Sequence, residues 1–298
     1  MGRPVPADLH LLSPRRRRFG KAAVPYGLLA PGGLWLLVLF IVPMVAMGSL
    51  ALQEGTSLEG FRQTWRFANF TDALSQNQVF LLRSLRNGAI VTAVSLLLSY
   101  PIAYWIAFYG GRVKSVFLFL LLLPFFVSFV IRTVSWSFIL SDEGIVLGPL
   151  KSIGLLPQGF RVLGTTFSVL AGITYNLLPF TILPLYVSLE RMDKGLVEAA
   201  KDLYSNKVQA FLKVVFPLSL PGVFAAILLT SIPAIGDYVN AAVLGGPGTS
   251  MIGNVIQSEF LVARDYPEAS ALAFILMAAM VVGAIAYARL LGTEEITT

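Results

Sequence analysis

The sequence predicts an all-α polytopic membrane protein with six transmembrane helices, and two observations lead to this fold class. Hydrophobic residues make up 56% of the 298 positions and charged residues only 13%, with a mean hydropathy of +0.76. Soluble domains carry about 25% charged residues. Long apolar runs also recur along the chain, and each has the roughly 20 residues needed to cross about 30 Å of hydrocarbon. We therefore expect the chain to lie in a lipid bilayer.

The apolar runs define the predicted domain organisation. The six spans are residues 27–51, 85–109, 115–140, 163–189, 217–244 and 268–291. A basic arm at 1–26 precedes this six-span domain at 27–291, a polar loop lies at 190–216, and a tail follows at 292–298. Prolines within the spans predict kinks, which membranes tolerate where neighbouring helices satisfy the freed carbonyls.

The positions of the lysines and arginines predict the orientation in the membrane. With the N-terminus inside, 14 of the 22 basic residues fall in cytoplasmic segments or, for Arg289, at the cytoplasmic end of the last span. They include Arg15 to Arg18 and the five basic residues of the polar loop. Cytoplasmic loops are enriched in Lys and Arg, so both termini and the polar loop are predicted to face the cytoplasm. The net charge of +6 is explained by this topology and does not require a nucleic-acid partner.

The segments predicted to be external are 52–84, 141–162 and 245–267. In the last of them apolar residues recur at helical spacing, which predicts a short amphipathic helix over the outer mouth. Those residues are Met251, Ile252, Val255, Ile256 and Phe260.

Several kinds of chemistry are excluded by the residues that the chain lacks. There is no cysteine, so disulfides, thiolate metal sites and cysteine catalysis are excluded. The single histidine, His10, lies in the N-terminal arm, so neither a histidine metal cluster nor a Ser-His-Asp triad is available. No GxxxxGK[ST] motif occurs, and the chain is not expected to cradle nucleotide phosphates in that way.

The polar loop predicts a short helix that meets something outside the membrane. Asp193 is a good N-cap for a helix over 194–203, because its carboxylate can accept from unpaired amides. Glu198 and Asp202 are four apart, so their carboxylates share one face of such a helix. This face is expected to be a docking surface rather than a catalytic pair; the alternative is an ordinary solvated loop. The residues concerned are Glu198, Ala199, Ala200, Asp202 and Leu203.

Two charged residues lie well inside predicted spans, away from their ends: Arg132 in the third and Asp237 in the fifth. Charges in a membrane are costly, so each is a candidate functional residue, and their similar depth allows an ion pair. The alternative for Arg132 is a structural or snorkelling role. Asp237 beside aromatic residues would suit a cation, although aromatic residues in spans commonly serve packing. The expected companions on a translocation path are Trp136, Tyr175, Asn176 and Tyr238.

The segment Glu198-Ala199-Ala200, with Phe211 and Pro217 at the expected distances, resembles the EAA loop of binding-protein-dependent ABC importer permeases. In that family this loop is the cytoplasmic coupling helix, which sits in a groove of the ATPase subunit. The resemblance implies an ATPase-coupling role for the docking face together with Tyr204 and Phe211. Tyr204 stands where the family usually has glycine. Either the turn is built differently, or Ser205 and Asn206 provide its geometry.

Further segments resemble the spermidine/putrescine permease subunit of polyamine importers, a branch of the same family with the type I importer permease fold. They are 124–137, 176–186, 236–240 and 252–260, with Arg264-Asp265 and Pro267. The resemblance implies a bacterial inner-membrane location, a second permease chain, two copies of an ATPase and an extracytoplasmic substrate-binding protein. It implies no cofactor on this chain, with ATP and Mg²⁺ bound by the ATPase.

Other solutes and other classes of protein remain as alternatives. Branches that import thiamine, ferric iron, sulfate or opine-like compounds share the architecture. A secondary transporter would show repeated halves and several acidic groups within the membrane, whereas Asp237 is the one acidic residue in the interior of a predicted span. A membrane enzyme would need several polar catalytic residues grouped within or beside the spans.

Overall fold

The computed structural model describes residues 19–203 and 206–291, and these are mostly helical. A first compact unit ends at Ser49 and holds most of the first helix, and a second begins at Leu50 and holds the other elements. The helices are α1 (Phe19–Ala51), α2 (Ala68–Tyr109), α3 (Lys114–Leu122), α4 (Phe129–Leu140), α5 (Leu147–Ser152), α6 (Thr166–Glu190), α7 (Lys194–Leu203), α8 (Lys207–Ala210), α9 (Phe216–Gly236), α10 (Val239–Leu244), α11 (Ile252–Ser258) and α12 (Tyr266–Leu291). Strands β1 (Gln53–Thr56) and β2 (Gly60–Gln63) form an antiparallel hairpin.

The helices confirm the predicted polytopic fold. Within the described part of the chain, five helices are long and apolar enough to cross a membrane, and a bent pair brings the number to six if it forms one span. The predicted spans 163–189 and 268–291 agree closely with α6 and α12.

The helix that contains the second predicted span, 85–109, begins earlier than the apolar run, because α2 starts at Ala68. The first turns of α2 are polar, yet Ala73, Asn77 and Ser84 are buried against neighbouring elements. Hydropathy detects contact with lipid and does not detect a helix that packs on protein outside the apolar run. Much of the segment 52–84 is therefore helix, and the rest includes the unpredicted hairpin.

Two predicted spans are interrupted. The third is bent by 91° between residues 111–126 and 129–140. Pro124 is the second residue of the short 3₁₀ turn before the bend, where its missing amide donor and fixed φ favour a break. The fifth stops at Gly236, and the chain continues as α10 after an extended Asp237 with ψ of 110°. The estimate that Arg132 and Asp237 lie at similar depths assumed straight helices, and both breaks invalidate it.

The centre of the second unit is formed by α2, α6 and α9. One buried cluster joins Val91, Ile173 and Ala234. A close approach of α6 and α9 requires glycine at position 222, where a Cβ atom would lie 2.8 Å from the Pro184 carbonyl oxygen. Backbone proximity of this kind is typical of helix packing in membranes.

Candidate functional site

Helix α7 has the bounds and the cap that the sequence predicts. It runs from Lys194 to Leu203, and the Asp193 Oδ1 accepts a 2.8 Å hydrogen bond from the Gly195 amide. This bond satisfies one of the unpaired donors at the start of the helix. Exposed positions on α7 include Glu198, Ala199, Asp202 and Leu203. Leu203 is 80% exposed, so the helix presents an apolar side chain as well as two carboxylates. The backbone of Ala200 continues α7.

The turn after α7 is described only from Asn206 onward, and Tyr204 and Ser205 lie outside the described residues. The side chain of Asn206 accepts a 2.9 Å hydrogen bond from the Val208 amide and so caps α8. Among the described non-glycine residues, positive φ angles occur at Trp65 and Arg264. Asn206 therefore does not supply a left-handed turn.

Phe211 lies in the π turn that packs against α7, not on α7 itself. It begins a single π-helical turn, Phe211–Val215, that joins α8 to α9. Its ring meets the rings of Tyr100 and Tyr104 edge-on, with centroids 5.4 Å and 5.8 Å away. The Tyr100 hydroxyl is hydrogen-bonded to the Ser219 hydroxyl at 2.6 Å. This aromatic contact links the segment that follows α7 to α2. Single π turns often mark functional positions in helices.

An ion pair that the sequence analysis missed lies at the same end of the bundle. Lys114, the first residue of α3, pairs with Glu190, the last residue of α6, only a few residues before α7 begins. Opposite charges at the ends of neighbouring spans are the signal that could have revealed it. The pair joins the start of α3 to the end of α6, just before α7.

A polar network lies at the break between α9 and α10. The Asp237 carboxylate accepts two hydrogen bonds from Asn240, at 2.8 Å from the backbone amide and at 2.7 Å from Nδ2. Asn240 Oδ1 in turn accepts from Thr133 Oγ1 at 3.2 Å and from Asn176 Nδ2 at 3.3 Å. The network thus joins α4, α6 and α10. Of the predicted path residues, it includes Asp237 and Asn176.

Arg132 does not reach Asp237. Within the described part of the chain no ion pair joins them, and the guanidinium instead lies over the rings of Phe125 and Phe129, at 5.0 Å and 5.9 Å from their centroids. A guanidinium over an aromatic face is stabilised by the ring quadrupole. This arrangement supports the structural alternative for Arg132.

The predicted aromatic companions separate into two places. Trp136 and Tyr175 pack together, with centroids 5.3 Å apart and rings at 64°, beside the buried cluster around Val169. Tyr238 directly follows Asp237 and is 43% exposed, while its backbone carbonyl accepts from Asn254 at 2.8 Å. Of the three aromatic residues, Tyr238 is therefore the one next to Asp237 in the chain.

The predicted amphipathic segment forms α11, at the end of the bundle opposite α7. Met251 and Ile252 are buried, and the Ile252 amide donates to Ser84 Oγ at 2.8 Å. A second π turn follows, in which burial raises the pKa of Glu259 above its ordinary value. The nearby carboxylates of Glu268 and Asp265 raise the pKa further. This segment is packed on the N-terminal turns of α2.

Comparison with known proteins decides the family. A profile described as "binding-protein-dependent transport system inner membrane component" matches residues 99–292, more than half of the chain. The chain belongs to this family. The ABC importer permease that the EAA-like loop predicts is thereby confirmed, and the alternatives of a secondary transporter and a membrane enzyme are not favoured.

Curated relatives extend over most of this permease. It is 36% identical over 253 residues to the spermidine/putrescine transport system permease protein PotB of Haemophilus influenzae, covering 83% of this chain and 88% of that one. It is 33% identical over 256 residues to PotB of Escherichia coli, with 86% and 93% covered.

A solved structure shares the fold. A chain of the bacterial alginate ABC transporter, crystallised with an alginate pentasaccharide-bound periplasmic protein, superposes with a TM-score of 0.65 at 18% identity. The match covers 92% of this chain and 95% of that chain. The two chains therefore share one overall fold.

Proposed function

We propose that this permease moves polyamines such as spermidine and putrescine inward across the bacterial inner membrane. The observation that carries the substrate class is the identity with two PotB proteins over more than four fifths of the chain. Amines of this kind are cations at neutral pH, and a carboxylate at a break in a membrane helix suits them.

The proposed assembly contains a second permease chain, two copies of an ATPase and an extracytoplasmic binding protein. The alginate transporter solved with a periplasmic protein supports the last of these. ATP and Mg²⁺ are bound by the ATPase, and this chain supplies half of the path. Binding protein and ATPase act by preferring different states of the permease, because a ligand shifts an equilibrium only through its differential affinity.

In this proposal, α7 is the docking helix for the ATPase and faces the cytoplasm with both chain termini. The exposed Glu198, Ala199, Asp202 and Leu203 support a docking role, since few buried contacts carry most of the energy of an interface. Phe211 and the π turn transmit movement of α7 to α2. The partly exposed Asp237 meets the cation on the path, with Tyr238 beside it.

Cysteine labelling tests the orientation, because the natural chain has no cysteine. Ala199→Cys on α7 is expected to react with an impermeant maleimide only in inside-out vesicles. Leu58→Cys, in the hairpin loop and 95% exposed, is the matched control and is expected to react only in right-side-out vesicles. The reverse pattern would overturn the assignment of α7 to the cytoplasm.

Purification and uptake test the assembly and the substrate. An affinity-tagged copy of this chain is expected to copurify an ATPase. The assembled complex in proteoliposomes, supplied with ATP and loaded binding protein, is expected to accumulate labelled spermidine, and putrescine is expected to compete. Competition by thiamine or sulfate in place of putrescine would contradict the proposed substrate class.

A further inference from the structure

The orientation of the Asp237 carboxylate is fixed by one neighbour. Asp237 is extended at the end of α9, and its side chain lies over the first turn of α10, which follows it. Both carboxylate oxygens accept from Asn240. Bonds of 2.8 Å and 2.7 Å to one residue leave the carboxylate little freedom to rotate. Hydrogen bonds to an ionised acceptor are also stronger than neutral ones.

The orientation of Asn240 is fixed in turn by two other helices. Its amide oxygen accepts from the Asn176 amide of α6 and faces the Thr133 hydroxyl of α4, whose one proton lies within reach of Asn240 Oδ1 at 3.2 Å and of the Phe129 carbonyl oxygen at 3.1 Å. With the oxygen held on that side, the Asn240 Nδ2 group must point to Asp237. Asn176 Nδ2 also donates to Thr133 Oγ1 at 3.3 Å, so the two partners of Asn240 contact each other.

Burial places Asn240 and its two partners behind the carboxylate. Asn240 and Thr133 are 0% exposed and Asn176 is 1% exposed, whereas Asp237 is partly exposed. A solute that approaches Asp237 therefore does not touch the other three in this conformation. Gly172 makes the arrangement possible, since a Cβ atom there would lie 2.8 Å from Asn240 Oδ1.

We propose that Thr133, Asn176 and Asn240 are positioning residues that hold the Asp237 carboxylate toward the cationic substrate. The inference rests on the proposed function, in which Asp237 meets that substrate. It also changes the expected role of Asn176 from a contact on the path to a support behind it. Because α4 and α10 both follow a break in a span, the carboxylate is held this way only while α4, α6 and α10 keep their present arrangement.

The test is a double-mutant cycle on the assembled transporter in proteoliposomes, with uptake of labelled putrescine as the readout. Thr133→Val keeps the shape of the side chain and removes the hydroxyl. We expect it to raise the apparent KM about fivefold, the effect of about 1 kcal/mol for one hydrogen bond, with the maximal rate largely kept. Thr133→Ser retains the donor and is expected to restore the KM.

A matched control removes a similar hydroxyl elsewhere in the bundle. Thr181 and Thr230 share a 2.8 Å hydrogen bond between α6 and α9 and are both buried, so Thr181→Val tests the loss of a buried hydroxyl without touching the network. It is expected to leave the KM for putrescine unchanged. Equal increases of KM in Thr133→Val and Thr181→Val would overturn the positioning role in favour of a general packing effect.

Asp237→Asn separates this inference from the proposed function. Coupled residues show non-additive effects, so Thr133→Val is expected to add nothing once Asp237→Asn has raised the KM. If Asp237→Asn raises the KM and Thr133→Val does not, the positioning role fails while the path assignment stands. If neither variant changes the KM, both the positioning role and the path assignment of Asp237 fail.

Discussion

The ring of Phe211 lies edge-on to the ring of Tyr100, with centroids 5.4 Å apart and planes at 87°. Phe211 begins the π turn that follows the docking segment, and Tyr100 belongs to α2, at the centre of the bundle. Edge-to-face pairs contribute about 0.5 to 1.5 kcal/mol beyond the area that they bury. A movement of α7 therefore has a direct physical route to α2.

Phe211→Ala is expected to reduce uptake strongly while the ATPase still copurifies, because the exposed face of α7 is unchanged. Loss of the packed ring should lower the stability of the complex by about 2 kcal/mol, less than for a fully buried phenylalanine. Transport assays and thermal melting of the purified complex measure the two effects. Phe138→Ala, at a ring of α4 that is 68% exposed, is the control and should leave both nearly unchanged. Normal uptake by Phe211→Ala would contradict the route.

The ion pair of Lys114 and Glu190 is expected to hold the entrance of α7 in place. Lys114→Met leaves the Glu190 carboxylate, itself only 28% exposed, without its cation, so uptake and the thermal midpoint should both fall. The exchange of charges in Lys114→Glu with Glu190→Lys should recover much of the loss. High salt should lower the thermal midpoint of the wild type more than that of Lys114→Met, because salt screens the ion pair. If the double exchange shows uptake and a thermal midpoint no higher than those of Lys114→Met, the ion pair between positions 114 and 190 is unimportant.

Glu198→Lys is expected to abolish uptake and leave the protein in the membrane. Reversing an exposed charge does not disturb the bundle, but the loss of a charged contact within an interface costs about 2 to 5 kcal/mol. The amount of ATPase that copurifies should fall more than about tenfold. Gln209→Lys, exposed in α8 of the same loop, is the matched control. Equal retention of the ATPase by both variants would remove Glu198 from the interface.

Local signals explain what the sequence predicted well. The bounds of α7 follow from an N-cap aspartate and a run of good helix formers between two apolar spans, and each of these signals is read within a few residues. The family follows from short motifs that keep their spacing. By contrast, the first turns of α2 were missed, because they pack against α11 and α12 through contacts that span 168 and 191 positions of the chain.

Contacts between distant segments explain what the sequence could not give. Asn240 looks like one polar residue in an apolar run, and its partners lie 64 and 107 positions away. The ion pair that similar depths would allow between Arg132 and Asp237 is absent among the described residues for the same reason, since depth along a straight span says nothing once both spans are broken. Polar residues within apolar runs, Thr133 among them, were the available signal for the network.

Gly222→Ala is expected to destabilise the packing of α6 on α9. A new Cβ atom would lie 2.8 Å from the Pro184 carbonyl oxygen, a backbone atom, so the helices must shift. Overpacking of this kind costs about 1 to 3 kcal/mol. Gly283→Ala in α12 is the control, because a Cβ atom there has no neighbour within 4 Å. Thermal melting of the purified complex should show a lower midpoint for Gly222→Ala alone, and equal midpoints would contradict the close approach.

The raised pKa of Glu259 predicts how the segment beside α11 responds to pH. Burial raises this pKa above 4.5, and the carboxylates of Glu268 and Asp265 raise it further, so folding favours the protonated side chain. The stabilising contribution is complete below the unfolded pKa and is lost as the pH rises through the folded pKa. Glu259→Gln mimics the protonated form and should melt at a higher temperature than the wild type at neutral pH. That difference should vanish as the pH falls below 4.5.

Glu59→Gln, in the exposed hairpin loop, is the control and should melt like the wild type throughout this pH range. A difference between Glu259→Gln and the wild type that does not depend on pH would contradict the titration of Glu259 as its cause.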